Sequence, residues 1–284
     1  MQTRLTIGKD LSFRRLGFGA MRITGPGVWG PPRHPSDAVV LLRHVVDSGV
    51  NLIDTADSYG PDISEELIAQ ALHPYPAGFV IATKGGNLRP GPSEWVADCR
   101  PEHLRGACEG SLRRLRLECI ELYQLHRVDP KVPFDDQIGA LRDLQREGKI
   151  RHIGLSNVTT SQLARAQAIA EIVSVQNRYN VTDRTHEDVL EACEKGGLAF
   201  LPFFPLGAGD HARRDGGVLA RVATAHGAAP SQIALAWLLR RSHVIAPIPG
   251  TSSRTHFDEN LVAERITLSD ADFAELSAHR EEPA

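Results

Sequence analysis

The stretch Leu52-Ile53-Asp54-Thr55-Ala56-Asp57-Ser58-Tyr59-Gly60 decides how the rest of the chain is interpreted. An apolar pair runs into Asp54, a short polar turn follows, and Tyr59 comes directly after that turn. This pattern is typical of a strand whose C-terminal end delivers side chains to a site. Because Asp is also a common turn and capping residue, the stretch taken alone equally fits a surface loop. The strands that follow decide between the two interpretations.

Strand and helix patterns alternate along the chain, after a predicted hairpin over residues 4–13 and a short strand over residues 16–21. Further strands are predicted at residues 51–55, 79–83, 120–125, 152–155, 173–176, 199–203 and 244–248. Helices are predicted at residues 36–47, 64–72, 101–116, 134–147, 161–170, 187–195, 218–225, 231–241, 255–263 and 270–279. This alternation implies parallel strands. It predicts one α/β domain over residues 1–284, a (β/α)8 TIM barrel with an N-terminal β-hairpin and an extra C-terminal helix.

Composition excludes several classes of protein. Hydrophobic residues make up 42% of the chain and the net charge is −3, so neither a polyanion such as nucleic acid nor a membrane surface is an expected partner. The N-terminus lacks a signal peptide, and no apolar run approaches the ~20 residues of a membrane span. Four cysteines show no CxxC and no zinc-ligand spacing, so we expect reduced thiols, a cytoplasmic location and no metal. The oligomeric state is left open, with a monomer compatible.

Three consecutive predicted strands end in polar side chains that can act together. The second strand ends at Asp54 with Tyr59 in its loop, the third ends at Lys84, and the fourth ends at His126. Neighbouring strands lie about 4.8 Å apart, and barrel active sites lie at the C-terminal strand ends. Lys84 alone would fit a solvated loop and His126 alone a satisfied core residue, but all four side chains at adjacent strand ends predict a site.

These residue types fit the protonation of a carbonyl oxygen. A tyrosine has a pKa near 10, which a neighbouring ammonium lowers, so Tyr59 beside Lys84 is a candidate general acid. Asp54 would hold Lys84 charged, and His126 could donate a hydrogen bond to the substrate oxygen. The set contains neither an activated nucleophile nor a metal. A hydride from a bound nicotinamide would complete the reaction.

The remaining strand ends offer a place for such a cofactor. Small hydrogen-bonding groups end the fifth and sixth strands at Ser156, Asn157 and Gln176. Phe203 begins a glycine-containing loop that runs to Gly209 and could stack on a flat ring. Loops after strands seven and eight form the usual phosphate site of barrels, and the last one runs from Gly250 to Arg254. Gly17-Phe18-Gly19 suggests backbone passing close to a ligand, but it lacks the G-x-G-x-x-G spacing of a Rossmann site.

Six motifs occur along the chain in a fixed order. They are Ile53-Asp54-Thr55-Ala56-Asp57-Ser58-Tyr59-Gly60, Thr83-Lys84, Leu125-His126, Gly154-Leu155-Ser156-Asn157, Pro205-Leu206-Gly207, and Ile248-Pro249-Gly250 with Glu259-Asn260. In this order they resemble the aldo-keto reductase family over essentially the whole chain. The loops at residues 25–32 and 202–207 are most similar to a bacterial branch that includes pyridoxal reductases.

The resemblance implies an NADP-dependent oxidoreductase of aldehydes or ketones, with pyridoxal as one candidate substrate. It implies Tyr59 as the acid, supported by Lys84, Asp54 and His126, and NADP(H) laid across the strand ends. The substrate pocket is expected to include Trp29, Tyr59 and His126. The residues assigned to the cofactor are Gly19, Met21, Asp54, Ser156, Asn157, Gln176, Phe203, Pro205, Leu206, Gly207, Gly250, Thr251, Ser252, Arg254, Glu259 and Asn260.

The chain departs from the family's pattern at the coenzyme 2′-phosphate. Aldose-reductase-like members carry Lys after the proline of the last motif and Arg further on, whereas this chain has Gly250 and His256. Arg254, with the hydroxyls of Thr251, Ser252 and Ser253, would have to bind the phosphate instead.

Two other classes of function share parts of this pattern. Barrel aldolases place a lysine at a strand end, so a Schiff-base lyase using Lys84 is one alternative, although Asp54 nearby favours the unreactive ammonium. A non-enzymatic, redox-sensing channel subunit is the other, but such subunits usually carry an additional N-terminal segment. The order of the motifs favours the reductase.

Overall fold

A curled parallel sheet forms the centre of the molecule. The computed structural model describes residues 3–207 and 217–278, and the predictions for Gly209 and for the end of the last helix at His279 lie outside these residues. The strands of the described residues are β1 Arg4–Ile7, β2 Leu11–Arg14, β3 Phe18–Gly19, β4 Leu52–Asp54, β5 Val80–Gly85, β6 Asn87–Leu88, β7 Val96–Ala97, β8 Ile120–Leu125, β9 Ile150–Ser156, β10 Ile172–Gln176 and β11 Ala199–Phe200.

Helices follow the strands of this sheet in alternation. Over the same described residues they are α1 Pro35–Asp47, α2 Ile63–Leu72, α3 Pro101–Leu115, α4 Phe134–Arg146, α5 Thr160–Gln167, α6 Glu187–Gly196, α7 Val218–Ala225, α8 Pro230–Arg241, α9 Arg254–Val262 and α10 Asp270–Ala278. Each lies within a few residues of its predicted position. Proline at the first position of α1, α3 and α8 supplies helix starts, since its missing N–H is not needed there.

The sheet has the order β11-β10-β9-β8-β5-β4-β3, and all its described pairings are parallel. Parallel strands joined by helices are typical of a barrel in which every strand end opens to the same rim. The α/β barrel predicted from the sequence is therefore confirmed.

The predicted eighth strand closes the barrel but is not a regular strand. Phe200 accepts from the Ala246 N–H at 2.8 Å and donates to the Val244 carbonyl at 2.9 Å. On the other side, the N–H groups of Gly17 and Gly19 donate to the carbonyls of Pro247 (2.9 Å) and Pro249 (3.2 Å). Because proline has no N–H, the segment can only accept on that side, and a continuous ladder cannot form.

The predicted seventh strand is also shorter than expected, ending at Phe200 rather than at Phe203. Pro202 interrupts the hydrogen bonds there, while Leu201 and Phe203 still donate to carbonyls of the β10 segment at 2.8 and 3.1 Å. The first predicted strand likewise shortens to β3, because Ala20–Ile23 turns into a 3-10 helix that contains Met21. A second hairpin, β6 with β7, was not predicted at all.

The N-terminal hairpin plugs one end of the barrel. Leu5, Ile7, Leu11 and Phe13 alternate along β1 and β2 and are buried. They share one apolar cluster with the barrel-interior side chains Leu52, Val80, Ala82, Leu122, Val173, Ala199, Leu201, Ala246 and Ile248. Hydrophobic burial at this end leaves the opposite rim, where the strands end, for polar side chains.

All four cysteines are free thiols, as expected, and Cys99, Cys108 and Cys193 are buried. Among the described residues, no helix combines the length and the apolar character needed to cross a membrane.

Candidate active site

Asp54, Tyr59 and Lys84 meet at the rim of the barrel. Asp54 is the last residue of β4 and Lys84 lies near the end of β5, so the parallel register brings their side chains together. The Lys84 ammonium donates to Asp54 Oδ1 at 2.6 Å, to the Thr55 carbonyl at 2.8 Å and to Tyr59 Oη at 3.3 Å. Although burial opposes a charged lysine, the charge of Asp54 raises the pKa of Lys84 above its usual value.

The second oxygen of Asp54 is also bonded. Gln124 Nε2 from β8 donates to Asp54 Oδ2 at 3.1 Å, and Gln176 Nε2 from β10 donates to the same oxygen at 2.7 Å. Asp54 is therefore held by three side chains from three strands. The sequence prediction included Gln176 as a cofactor residue but did not include Gln124, which faces inward one position after the buried Tyr123.

His126 follows β8 and lies beside Tyr59. The two ring centres are 5.8 Å apart in an edge-to-face arrangement, and Ser58 Oγ lies 3.2 Å from His126 Nδ1. Burial and the charge of Lys84 hold the pKa of His126 well below its usual 6.5, so the ring is neutral. A neutral imidazole carries its proton on one ring nitrogen, and in the tautomer whose Nδ1 accepts from the Ser58 hydroxyl, Nε2 is the donor available to a ligand.

The pKa of Tyr59 differs from the prediction. Burial raises it above 10, and this effect outweighs the opposite influence of Lys84. A neighbouring ammonium alone would lower the pKa, but the sequence could not show how completely the phenol is removed from water. Tyr59 consequently remains protonated at neutral pH.

Two tryptophans and Arg89 lie next to these groups. The Trp29 backbone pairs with that of Gly60, directly after Tyr59, and its role in the substrate pocket stays a prediction. Trp95 was not predicted, and its ring lies 6.2 Å from that of Tyr59 and 6.0 Å from that of His126. The sequence signal for it was weak, because Trp95 lies in a Gly- and Pro-rich loop far from the end of any strand predicted from the sequence.

Residues predicted for the cofactor form a second group on the same rim. The Asn157 amide donates to the His126 carbonyl at 3.1 Å and to Ser156 Oγ at 2.9 Å, which joins this group to the first. Asn157 has φ 58, a left-handed conformation that asparagine tolerates. Ser156 and Asn157 at the end of β9 and Gln176 at the end of β10 offer the hydroxyl and amide groups that a carboxamide requires.

Gly19 and Gly250 lie against each other where the barrel closes. A Cβ at Gly19 would lie 2.6 Å from the Ile248 carbonyl, and one at Gly250 would lie 2.6 Å from the Gly19 carbonyl. The close approach of β3 to the closing segment requires glycine at both positions, and the predicted contact of Gly19 and Gly250 with the cofactor stays a prediction.

The loop from Thr251 to Arg254 begins α9. Ser253 caps this helix by accepting from the His256 N–H at 3.4 Å, and Arg254 is its exposed first residue. His256 is also exposed, whereas Thr251 is buried and accepts from the Ser253 N–H at 3.0 Å. A second cation, Arg22, lies beside this loop, with Cγ 3.6 Å from where a Gly250 Cβ would stand. Sequence proximity could not reveal Arg22, because it comes from the opposite end of the chain.

The other predicted cofactor residues are more dispersed. Phe203 lies beside β10, since its N–H donates to the Asn177 carbonyl at 3.1 Å, and its ring packs against Phe204 at 5.5 Å. In the loop after β11, Pro205 is buried, Leu206 packs against the apolar cluster between the sheet and its helices, and Gly207 has φ 69. Met21 lies in the 3-10 helix after β3. In and before α9, Ser252 and Glu259 are exposed and Asn260 is buried.

A metal site was not predicted. Within residues 3–207 and 217–278, no group of three or more His, Cys, Asp or Glu side chains is placed to hold a metal ion.

Comparison with known proteins identifies the family. The aldo/keto reductase family profile matches residues 15–281. An uncharacterized oxidoreductase of Schizosaccharomyces pombe is 46% identical over 94% of this chain and 87% of its own length. Pyridoxine 4-dehydrogenase of Escherichia coli is 43% identical over 91% of this chain and 92% of its own.

Structural comparison agrees with the sequence matches. The crystal structure of an aldo-keto reductase from Klebsiella pneumoniae in complex with NADPH is 26% identical, covers 98% of this chain and 95% of its own, and superposes with a TM-score of 0.82. The family model, the relatives and the barrel agree with the motifs at the strand ends, and this chain belongs to the aldo/keto reductase family.

Proposed function

We propose that this protein reduces an aldehyde or ketone to the alcohol with NADPH, and that Tyr59 is the general acid. The observation that carries the proposal is the buried Tyr59–Lys84–Asp54 arrangement, with 3.3 Å between Tyr59 Oη and Lys84 Nζ and 2.6 Å between Lys84 Nζ and Asp54 Oδ1. It places one protonated phenol beside one fixed positive charge at an accessible barrel rim.

NADP(H) is the coenzyme, consistent with the family and with the NADPH complex of the Klebsiella relative. Ser156, Asn157 and Gln176 would hold its carboxamide end, and the loop before α9 would hold its phosphate end. When bound, the coenzyme supplies the hydride that reduces the carbonyl carbon.

The protein's own groups stabilise and protonate the carbonyl oxygen. Tyr59 is protonated because burial raises its pKa, so it can give its proton as negative charge develops. The Lys84 ammonium then stabilises the phenolate, and Asp54 keeps that ammonium charged and oriented. Neutral His126 donates a second hydrogen bond to the same oxygen from Nε2. Preorganised donors of this kind cost no reorganisation during reaction.

The same geometry argues against a Schiff-base lyase. A lysine nucleophile must be neutral, but Asp54 raises the pKa of Lys84. In addition, the three N–H donors of Lys84 are used by Asp54, Thr55 and Tyr59. Lys84 therefore acts on Tyr59 rather than on a substrate carbon.

An aromatic aldehyde such as pyridoxal is the substrate that we favour. The Trp95 ring lies 6.2 Å from that of Tyr59, and the Trp29 backbone pairs with Gly60, directly after Tyr59. Flat rings stack well on aromatic side chains of this kind. The Escherichia coli relative carries the name pyridoxine 4-dehydrogenase, the reverse of pyridoxal reduction. A panel of aldehydes and ketones that includes pyridoxal, assayed by NADPH oxidation, will rank the substrates.

Substitution of Tyr59 by Phe tests the acid role. We expect NADPH binding to be preserved and carbonyl reduction to fall by at least the ~10²-fold typical of lost general-acid help. Tyr75→Phe is the matched control, because the Tyr75 hydroxyl donates to the Leu115 carbonyl away from the rim. Near-normal turnover by Tyr59→Phe would remove Tyr59 from this role. Activity should persist in EDTA, and absence of turnover with every carbonyl would favour the non-enzymatic alternative.

Arg254 is proposed to bind the coenzyme 2′-phosphate. Its exposed position at the start of α9 is unfavourable against the helix dipole, and a bound anion would relieve this. Arg254→Ala should weaken NADPH binding by about 10-fold while NADH binding changes little, since charge-assisted bonds contribute about 1.5–3 kcal/mol each. Arg22→Ala is the comparison variant, and fluorescence titrations measure NADPH binding by both variants. A larger loss of NADPH affinity in Arg22→Ala than in Arg254→Ala would assign the 2′-phosphate to Arg22.

A further inference from the structure

Arg89 lies in the loop between β6 and β7, which follows the strand that carries Lys84. The side chain is almost fully buried, with 8% exposed, although the loop contains many exposed residues. Neither the motifs nor the proposed acid mechanism accounts for it. A buried guanidinium requires hydrogen-bond partners, so its contacts show what it does.

The guanidinium connects three separate segments of backbone. Nε donates to the Glu94 carbonyl at 2.7 Å, which fixes its own loop. Nη1 donates to the carbonyls of Val28 and Ser58, each at 2.9 Å, and Nη2 donates to the Gly27 carbonyl at 2.9 Å. Four of the five N–H donors of an arginine are thereby used on main-chain oxygens. Arg89 therefore uses most of its hydrogen-bond donors within the protein and not on an anionic ligand.

Arg89 also contacts both tryptophans of the rim. Its guanidinium carbon lies 3.8 Å from the centre of the Trp95 ring and 5.8 Å from that of Trp29. Stacking of a guanidinium on an aromatic face is favourable, and it fixes the orientation of the ring. Trp95 in turn meets Tyr59 and His126 edge to face. The contacts therefore run from Arg89 through Trp95 to the proposed acid.

The backbone at Val28, next to Trp29, has a conformation that valine disfavours. Val28 has φ 55, a region that β-branched residues rarely adopt. Its carbonyl accepts from Arg89 and from the Gly60 N–H at 3.3 Å. Such conformations persist only where the surrounding structure determines them, and they concentrate at ligand sites. The bond from the Gly60 N–H ties the Trp29 loop directly to the Tyr59 turn. The bond from Arg89 does so indirectly, because the same nitrogen also donates to the Ser58 carbonyl.

We propose that Arg89 is a positioning residue that holds the Trp29 loop and the Trp95 loop against the Tyr59 turn, and so builds the aromatic wall of the substrate pocket. The inference rests on the proposed function, because it concerns the substrate of that same site. Arg89 acts through the two tryptophans and the Ser58 carbonyl, not on the reacting atoms.

The test compares Arg89→Leu and Arg89→Lys with Arg100→Leu as the matched control. Arg100 lies close by in the chain, binds Asp98 at 2.7 Å and has a 59% exposed side chain. Arg89→Leu should raise KM for pyridoxal by about 10-fold, because losing one well-placed stacking ring costs about 1.4 kcal/mol of binding, which is tenfold. NADPH affinity should stay unchanged, because Arg89 contacts none of the proposed coenzyme residues. Arg89→Lys should rescue poorly, since an ammonium lacks the planar fork.

Acrylamide quenching of tryptophan fluorescence gives a readout that does not need turnover. The chain has three tryptophans, and Trp237 is fully buried, so quenching reports mainly Trp29 and Trp95. Quenching should increase in both Arg89 variants and stay unchanged in Arg100→Leu. If the wild type reduces no carbonyl, the proposed function fails, but the quenching comparison still tests whether Arg89 holds the loops.

Two results would overturn the proposal. One is an unchanged KM together with unchanged quenching in Arg89→Leu. The other is a parallel loss of NADPH affinity and substrate affinity, which would mean that Arg89 supports the fold as a whole. Where Arg89→Leu does not fold, Trp95→Leu carries the test instead: a KM increase for pyridoxal in that variant supports the aromatic wall, and an unchanged KM contradicts it.

Discussion

Two buried aspartates, one at the end of β4 and one three residues later in the turn that follows, have opposite environments. Asp54 faces the barrel interior, where Lys84, Gln124 and Gln176 all donate to it. Asp57 lies on the outer side, and its Oδ1 has no hydrogen-bond partner among the described residues. Burial raises the pKa of Asp57 from 3.8 to about 8, and repulsion from Glu65 adds to the shift.

The difference follows from how the strands alternate. Lys84 and Gln124 point inward, whereas their neighbours Thr83 and Tyr123 point outward, because successive side chains on a strand face opposite sides. The outer side contains one shared cation: Arg114 binds Glu65 at 2.7 Å and Asp62 at 3.1 Å. Asp57 forms no ion pair with any residue that the structure describes, and its raised pKa keeps it protonated at neutral pH. Burial alone therefore does not fit an aspartate for the role proposed for Asp54, which also requires a fixed opposite charge beside it.

Replacing Asp54 by Asn should have the largest effect. In one orientation the new amide group would face the Lys84 ammonium, and in the other it would face the two donors from Gln124 and Gln176. We expect a loss of about 3–5 kcal/mol in unfolding free energy, as for a broken buried ion pair, together with a large fall in kcat. Urea unfolding and NADPH-oxidation assays measure both. A variant as stable and active as the wild type would remove the distinction between the two aspartates.

Replacing Asp57 by Asn should stabilise the protein, increasingly so as pH rises. Between pH 3.8 and about 8 the folded state keeps the Asp57 proton that the unfolded state releases, so wild-type stability falls as pH rises. The variant lacks this group. Its advantage should grow by about 2 kcal/mol from pH 6 to pH 8 and then level off. Urea unfolding at several pH values checks this, and a constant difference would show that Asp57 is ionised throughout.

Replacing Tyr123 by Phe should have the smallest effect. Tyr123 Oη is buried without a partner in the described part of the chain, and burial raises the pKa of this phenol well above 10, with a smaller contribution from Asp57. Removing an unsatisfied hydroxyl should change the unfolding free energy by less than about 1 kcal/mol. Thermal or urea unfolding measures it. A loss above about 2 kcal/mol would indicate a hydrogen bond between Tyr123 and Asp57, which would make the outer aspartate a bonded one.

Much of the site was predictable because it sits at strand ends. Periodicity located β4, β5 and β8, and a parallel sheet brings such ends together, so Asp54, Lys84 and His126 could be grouped without coordinates. Tyr59 came with them because it lies in the adjoining turn. Residues between the strands were not predictable in this way. Arg89, Trp95 and Arg22 reach the rim from irregular or distant segments, where no period relates sequence to position.

The sequence by itself determined the barrel, the family and the identity of the groups at the rim, because hydrophobic period and motif order are local properties of the chain. Only the tertiary structure decided how those groups are charged. Burial raises the pKa of Tyr59 and Asp57 and lowers that of His126, and burial depends on contacts between residues far apart in sequence. It also decided that Asp54 pairs with Lys84 whereas Asp57 pairs with no cation among residues 3–207 and 217–278, although both aspartates stand in the same nine-residue stretch.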